Sequence, residues 1–276
     1  MRGKDQMQRQ TLNILCCPHC QGALTLEQAE GGEDIRGGRL QCCQCAKIYP
    51  IHRGIPRFVA RSELVGKNKS EYWIENIHAH FYNLTMKALA SYFGLSEEEA
   101  RKECLGRLEL GRNAKILEVS VGTGANIPYL FRYGREAEFY GLDLSPGMLA
   151  QCAKNVQKWT CQAELFHGLA ERLPFRNGSF DVVFHLGGIN DFEEKKRAIE
   201  EMIRVSKPGT KIVIVDEWLS SSSLHRFHER LLLRVFPAIA RRTEPPIHLV
   251  PAGMVETKLE TVWNGYGYCL EFRKPA

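Results

Sequence analysis

A β-rich run, KILEV at 115–119, passes at once into the turn SVGTGAN and then into a helical segment that opens near Pro128. Strand, glycine turn and helix in that order fix the local path of the chain. The backbone N–H groups of the turn and the N-terminus of the helix then face one point, where a ligand can sit. Gly122 and Gly124 let the backbone approach closely there. Nineteen residues after Gly124, Asp143 ends a second strand, FYGLD, and a carboxylate at that place commonly grips ribose hydroxyls. Taken alone, the pattern leaves nucleotide binding, a structural left-handed turn and a dinucleotide fold all open.

The second constraint lies near the N-terminus. Of ten cysteines in the 276 residues, six fall between Cys16 and Cys45. Two C-x-x-C knuckles emerge, Cys17 with Cys20 and Cys42 with Cys45, separated by 21 residues. Each knuckle sets two thiolates on one tight turn, and together they offer the tetrahedral sulfur set that zinc prefers. The alternations ALTLE and RLQC supply the strands of a ribbon, and a hairpin absorbs the polar loop GGEDIRGG between them cheaply. Cys16 and Cys43 are surplus, and Cys43 could replace Cys42 only in a tighter C-x-C. The plainest role for the metal is to fold a segment too short to hold a core alone. A knuckle that recognises substrate or RNA is the other reading.

Composition excludes several classes. With 44% hydrophobic and 25% charged residues the chain is globular, neither disordered nor fibrous. A net charge of +5 permits an anionic partner without demanding nucleic acid. The N-terminal stretch MRGKDQMQRQTLNILCCP holds no apolar run of signal-peptide length. No transmembrane segment is expected either, because the best candidate, LLLRVFPAIA, carries Arg234 and Pro237. The expectation is a cytoplasmic protein, and a reducing cytosol favours metal over disulfides. The oligomeric state is not legible. The chain divides into a ribbon over 1–62 and a larger domain over 63–276.

In the middle, Trp73, Ile77, Phe81, Leu84 and Ala88 recur at helical spacing. A short helix follows, with Ser96 as its cap and Glu99 as the partner in a capping box. The insert from Ser221 to Pro246 sets Leu224, Phe227, Leu231 and Val235 on one face and Arg226, Arg230 and Arg234 on another. That pattern suits a helical lid, or a basic apolar surface for a lipophilic or anionic substrate. TKLETVW and YCLEFRK around a Gly turn read as a closing hairpin.

Residues 115–215 resemble the class I S-adenosylmethionine-dependent methyltransferases, in the branch similar to ubiquinone/menaquinone C-methyltransferases. LEVSVGTG resembles their first motif, E-x-G-x-G-x-G; GLDLSPGML their second; ERLPFRNGSFDVVFHLGG their third and fourth; and EEMIRVSKPGTKIVIVDE the helix–turn–strand after them. The segment CPHCQGALTLE to LQCCQCAKIYPIHRGIPRFV is similar to the zinc ribbon of the small activator subunit of tRNA and protein methyltransferases, chiefly through Tyr49 to Pro56. The resemblance implies an α/β fold: a Rossmann-like seven-stranded methyltransferase sheet behind an N-terminal zinc ribbon, with S-adenosylmethionine and zinc as cofactors.

By position, the resemblance places Glu118 near the methionine ammonium, with Gly122 and Gly124 as the cradle; Ser120, Val121, Thr123 and Asn126 complete that turn. Asp143 would bind the ribose, Leu144 and Met148 would pack on adenine, Ala170 and Glu171 would lie at its edge, and His185 beneath the methionine part. Two positions depart from the pattern. Ser120 stands where the first motif glycine belongs, and Leu169 where an Asp often bonds the adenine amine, so recognition of the base shifts toward backbone groups and stacking. A dehydrogenase is disfavoured, since Ser120 interrupts G-x-G-x-x-G and the LPF and RVSKPG runs have no place in that family.

Methyl transfer is mainly a matter of alignment, with a base needed only where the nucleophile must lose a proton. Tyr82, His185 and Asn190 are the catalytic candidates, with His80, Asp191 and Glu217 beside them. The resemblance implies a Tyr over the cofactor at Tyr82; Asp191 suits a helix cap for FEEKKRAIEEMIRV. Cys104, Cys152, Cys161 and Cys269 are scattered, which gives little support to a thiol-based acceptor site. The leading function is methylation of a small-molecule acceptor with a lipophilic or aromatic part. The alternatives are an RNA methyltransferase that reads its substrate through the ribbon, and a non-catalytic adaptor that binds the cofactor. RNA is not favoured as a partner, because Arg36, Arg39 and Lys47 are sparse and no aromatic strip accompanies them.

Overall fold

The structure is a computed structural model describing residues 6–69, 91, 94–133, 136–218 and 244–276. The helical spacing around Tyr82 and His80, and the lid faces between Leu224 and Val235, lie outside the described residues.

The N-terminal region folds as short strands: β1 (Met7–Gln8), β2 (Leu24–Glu30), β3 (Asp34–Ile35), β4 (Gly37–Cys42), β5 (Ile48–His52) and β6 (Ile55–Pro56). β1 pairs with β3, while β2, β4, β5 and β6 form a four-stranded antiparallel sheet in that order. The period-2 alternation dictates which face is covered. Tyr49 and Ile51 on β5, and Leu40 and Cys42 on β4, point inward, while their neighbours face water or its margin.

A seven-stranded sheet follows, built from β7 (Lys115–Val119), β8 (Glu138–Asp143), β9 (Glu164–His167), β10 (Val182–Leu186), β11 (Lys211–Glu217), β12 (Val255–Val262) and β13 (Gly267–Arg273). Its order is β12-β13-β11-β10-β7-β8-β9, parallel except for β13, which runs antiparallel to both neighbours. The expected α/β sheet and closing hairpin are therefore present. β7, β10 and β11 are buried along almost their whole length because both of their faces are covered, as parallel strands require, so the polar Glu118, His185 and Asp216 within them are buried too.

The helices named among the described residues are α1 (Glu97–Leu105), α2 (Ile127–Tyr133), α3 (Pro146–Lys158) and α4 (Lys195–Val205). The capping box of α1 is as expected, with the Glu99 N–H donating to the Ser96 hydroxyl at 3.1 Å and the Ser96 N–H to the Glu99 carboxylate at 2.9 Å. The cap expected at Asp191 is not formed. α4 starts four residues later, with Glu194 as its flanking residue, and Asp191 ends a separate 3-10 turn. Phe192, extended directly after that turn, breaks the helical register, so the sequence FEEKKRAIEEMIRV overstates the helix.

The ribbon docks on the β9 edge of the large sheet. The Thr11 hydroxyl and the Gln8 N–H donate to the two Glu164 oxygens at 2.8 and 3.0 Å. Farther along, the Cys16 N–H donates to the Pro174 carbonyl at 3.0 Å, the Arg176 N–H to the Ile14 carbonyl at 2.8 Å, and the Phe58 N–H to the His167 carbonyl at 2.8 Å. One apolar core runs through both sheets, joining Met7, Leu15, Leu40, Tyr49 and Phe58 to Tyr140, Phe166, Phe175 and Phe180. Phe175 stands edge-on to Phe166 and to Phe180, with ring centroids 5.0 and 4.9 Å apart. Backbone pairing and ring packing thus seal a sheet edge that would otherwise be open.

Cys104, Cys152, Cys161 and Cys269 are buried in the core. Burial pushes the Cys104 and Cys269 thiols up to about 12, which keeps them protonated and unreactive.

Candidate functional site

Two constellations carry chemistry. In the ribbon, the sulfurs of Cys17, Cys20, Cys42 and Cys45 all lie within 4.8 Å of one another. Cys17 and Cys45 are 3.6 Å apart, Cys20 and Cys42 3.4 Å. Zn–S bonds of 2.3 Å in a tetrahedron put sulfurs about 3.8 Å apart, so the four thiols fit a closed structural zinc site. The backbone N–H groups of Gln44 and Cys45 point at the Cys42 sulfur at 3.4 and 3.5 Å, and the Tyr49 hydroxyl lies 3.0 Å from that of Cys17. Donors of this kind orient thiolates and offset their charge. Cys43 faces solvent outside the cluster, and Cys16 is buried beside it, so neither surplus cysteine is needed.

The second constellation occupies the carboxyl ends of β7, β8, β9, β10 and β11. Ser120 leaves β7 in the left-handed region at φ 61°, followed by Gly122 at 54° and Gly124 at 75°. A Cβ on Gly124 would meet the Cys152 sulfur at 2.6 Å, so α3 packs directly on the turn; a Cβ on Gly122 would meet nothing within 4 Å among the described residues, leaving room there for a ligand. Val121 presses its side chain toward Gly141 and offers a ligand only its backbone. The Asn155 amide of α3 donates to the Thr123 carbonyl at 2.9 Å and holds the turn from behind.

Glu118, 2 % exposed, accepts from the Asn126 amide at 2.6 Å through one oxygen. Its other oxygen is buried without a partner among the described residues. Arg101, on α1, donates to the far side of the same Asn126 amide and is itself paired to Glu97 at 2.9 Å. Burial pushes the Glu118 carboxyl up to about 8. An unpaired buried carboxyl oxygen is costly unless something completes it, and a ligand ammonium would do so. The S-adenosylmethionine set named in the sequence thus fits on two observations: the orphaned Glu118 oxygen and the open space over Gly122.

Asp143 is committed more heavily than its position in the sequence suggests. It accepts from the N–H groups of Gly122 and Ser145, each at 2.8 Å, and burial raises it to about 6. It therefore braces the glycine turn, and only its remaining lone pairs are left for hydroxyls. Ser145 caps α3, its hydroxyl accepting from the N–H of the buried Met148 at 3.1 Å. Half-buried Leu144 packs against a small cluster of Val59, Leu64 and Leu169. Ala170 is buried, and Glu171 accepts from the Asn68 amide at 3.2 Å.

His185 lies inside the core at 0 % exposure, packed edge-on against Phe192. Its Nδ1 lies 2.8 Å from the Val119 carbonyl, while Nε2 has no partner among the described residues, and burial lowers the ring to about 4. The imidazole is therefore neutral and donates from Nδ1, tying the end of β10 to that of β7. The Asn190 amide donates to the Glu217 carbonyl at 3.0 Å and accepts from Lys195 at 3.3 Å, so both of its ends are occupied. Asp216, which the sequence reading missed, organises this loop by accepting from the N–H groups of Gly188, Asn190 and Glu217 at 3.2, 2.9 and 2.8 Å. Burial, with Asp216 and Asp191 alongside, raises half-buried Glu217 to about 7. Arg101 and Asn68 were missed as well: a lone Arg on a charged helix and an Asn in the helical turn over 66–69 carry no pattern.

Residues 117–214 match the family described as Methyltransferase domain, and residues 8–54 match the Trm112p-like protein family. A demethylmenaquinone methyltransferase of Bacillus mycoides is 31% identical over 147 residues, 51% of this chain and 62% of that protein. A phthiotriol/phenolphthiotriol dimycocerosates methyltransferase of Mycobacterium leprae is 38% identical over 102 residues, 37% of either protein. The chain thus spans less than two thirds of the length of these relatives. In fold, it is similar to a chain from the complex between the Haloferax volcanii Trm112 methyltransferase activator and the putative methyltransferase. The TM-score is 0.52 at 14% identity, over 73% of this chain and 98% of that one. No helix among the described residues is long and apolar enough to cross a membrane.

Proposed function

We propose that this chain, which carries a class I methyltransferase domain behind a Trm112-like ribbon, transfers a methyl group from S-adenosylmethionine to a small apolar acceptor. The observation that carries the reading is the buried Glu118 carboxyl, held by Asn126 at one oxygen and unpartnered at the other, beneath an open glycine turn. The acceptor class follows the relatives named for demethylmenaquinone and for phthiotriol dimycocerosates. RNA is the weaker reading, since Arg39 and Lys47 of the ribbon are spent on Glu27 and Glu63. The ribbon holds one zinc and works as a scaffold in a reducing, cytoplasmic setting.

S-adenosylmethionine supplies an electrophilic sulfonium methyl. Glu118 would receive the ammonium, the Gly122 backbone would flank the methionine part, and Asp143 would offer its free lone pairs to the ribose. Ser120, Val121, Thr123, Gly124 and Asn126 shape the turn, while Leu144, Met148, Ala170 and Glu171 form the adenine wall. His185 and Asn190 would shape the floor, and Tyr82 would be the side chain set over the methyl. Glu217, at the end of β11 beside the Asp216 loop, would take the acceptor's proton, with burial raising its carboxyl to about 7.

Calorimetric titration of the zinc-loaded chain tests this. Micromolar binding of S-adenosylhomocysteine is expected, weakened ~10- to 100-fold in Glu118→Gln, the worth of one charge-assisted hydrogen bond. No binding at millimolar ligand would leave the adaptor and enzyme readings without a cofactor.

A further inference from the structure

We propose that Asn68, on the strap that leaves the ribbon, reads the amine edge of the cofactor's adenine; the inference rests on the cofactor reading above. The strap runs from Arg57 to Lys69 and is pinned at both ends. The Phe58 N–H donates to the His167 carbonyl at 2.8 Å, and the Lys67 N–H donates to Glu193 at 2.6 Å. Between those points Val59 and Leu64 pack on Leu169, which is 7 % exposed, and on Leu144. The Leu169 side chain is thereby turned into apolar contact and supplies no polar atom to a base.

Two polar side chains at this end of the cleft are Glu171 and Asn68. Glu171 is already engaged, its Oε1 accepting from the Asn68 amide at 3.2 Å and from the Glu194 N–H at 3.4 Å. A carboxylate only accepts, so the NH2 of Asn68 must face it and the carbonyl oxygen must face away. Among the described residues that oxygen takes no hydrogen bond. Adenine presents an amine donor beside a ring acceptor, the pattern a carboxamide matches with its own oxygen and second N–H. Glu171 then sets the amide's orientation, and the ribbon supplies part of the specificity of a site in the other domain.

The test compares S-adenosylhomocysteine with S-inosylhomocysteine, in which a carbonyl replaces the amine, by calorimetry on the full zinc-loaded chain. The parent chain is expected to prefer the adenosyl ligand at least ~10-fold, one hydrogen bond's worth plus a repulsion between two acceptors. Asn68→Ala should bring the two affinities within ~3-fold of each other. Adding Leu169→Asp to that variant should restore the preference, because the new carboxylate can accept from the amine. Zinc content and circular dichroism confirm that the variants are folded. An Asn68→Ala chain that binds S-adenosylhomocysteine and keeps the parent preference overturns this proposal alone. A parent chain that binds neither ligand overturns the cofactor reading, and this proposal with it.

Discussion

The two ends of the large sheet are finished in opposite ways. At β9 the edge is covered by the ribbon, through backbone bonds at Cys16, Arg176 and Phe58, a Thr11–Glu164 contact and a continuous aromatic core. At β12 the edge is exposed at seven of eight positions. Charge protects it: Glu256 pairs with Arg273 at 2.9 Å and Glu260 with Arg107 at 2.6 Å. One end invests in burial, the other in solubility. Stability should therefore be concentrated at the β9 end, next to the candidate cofactor cleft, and changes of similar size at the two ends should differ by several kcal/mol.

The largest effect expected is that of the metal. Folding energy from a four-thiolate zinc site is on the order of 10 kcal/mol. Chelation, or Cys42→Ser, should therefore unfold the ribbon, lower the melting temperature and open β9 to hydrogen exchange. An unchanged melting curve after zinc removal would break the comparison at once. Next comes Phe175→Ala, which removes a ring packed between Phe166 and Phe180 and should cost ~3–5 kcal/mol in urea unfolding.

Glu164 sharpens the same contrast through pH. Burial raises its carboxyl from 4.5 to about 7, so the folded chain holds a proton that the unfolded chain releases. Stability from this group is greatest below pH 4.5 and declines as pH rises toward 7. Glu164→Gln should flatten that part of the stability profile, and an identical slope in the variant would remove Glu164 from the account. Smaller again is Ser120→Gly, which relieves a left-handed backbone at φ 61° and should stabilise by under ~1 kcal/mol in the same urea assay. Smallest is Leu259→Thr on β12, 37 % exposed, where unfolding should shift by no more than ~0.5 kcal/mol.

What the sequence disclosed follows the range of the interactions. KILEV was legible to the residue because a short β-rich run that passes at once into a glycine turn marks where a strand ends, even with Glu118 inside it. The four clustered cysteines were legible because their geometry is local, two per turn. Docking was not: Thr11 meets Glu164 across 153 residues, and no pattern in either segment announces the other. The same holds for Asn68 and Glu171, 103 residues apart, and for Arg101 behind Asn126. Asp191 misled because a capping residue type before a charged stretch is a common signal, and only the extended backbone at Phe192 shows that the helix starts later. Asp143 was placed correctly at its strand end, but its engagement by two backbone N–H groups depends on how the turn folds over it.

Ribbon and sheet sit on one chain, joined by the strap through Val59 and Leu64. Their meeting is therefore a ring-closing event, with an effective concentration near the millimolar range set by the tether. Two separate proteins making the same contacts would drift apart as they were diluted below their dissociation constant. Here the ratio of ribbon to sheet stays fixed at one, whatever the expression level and however crowded the cell is with competing sheets.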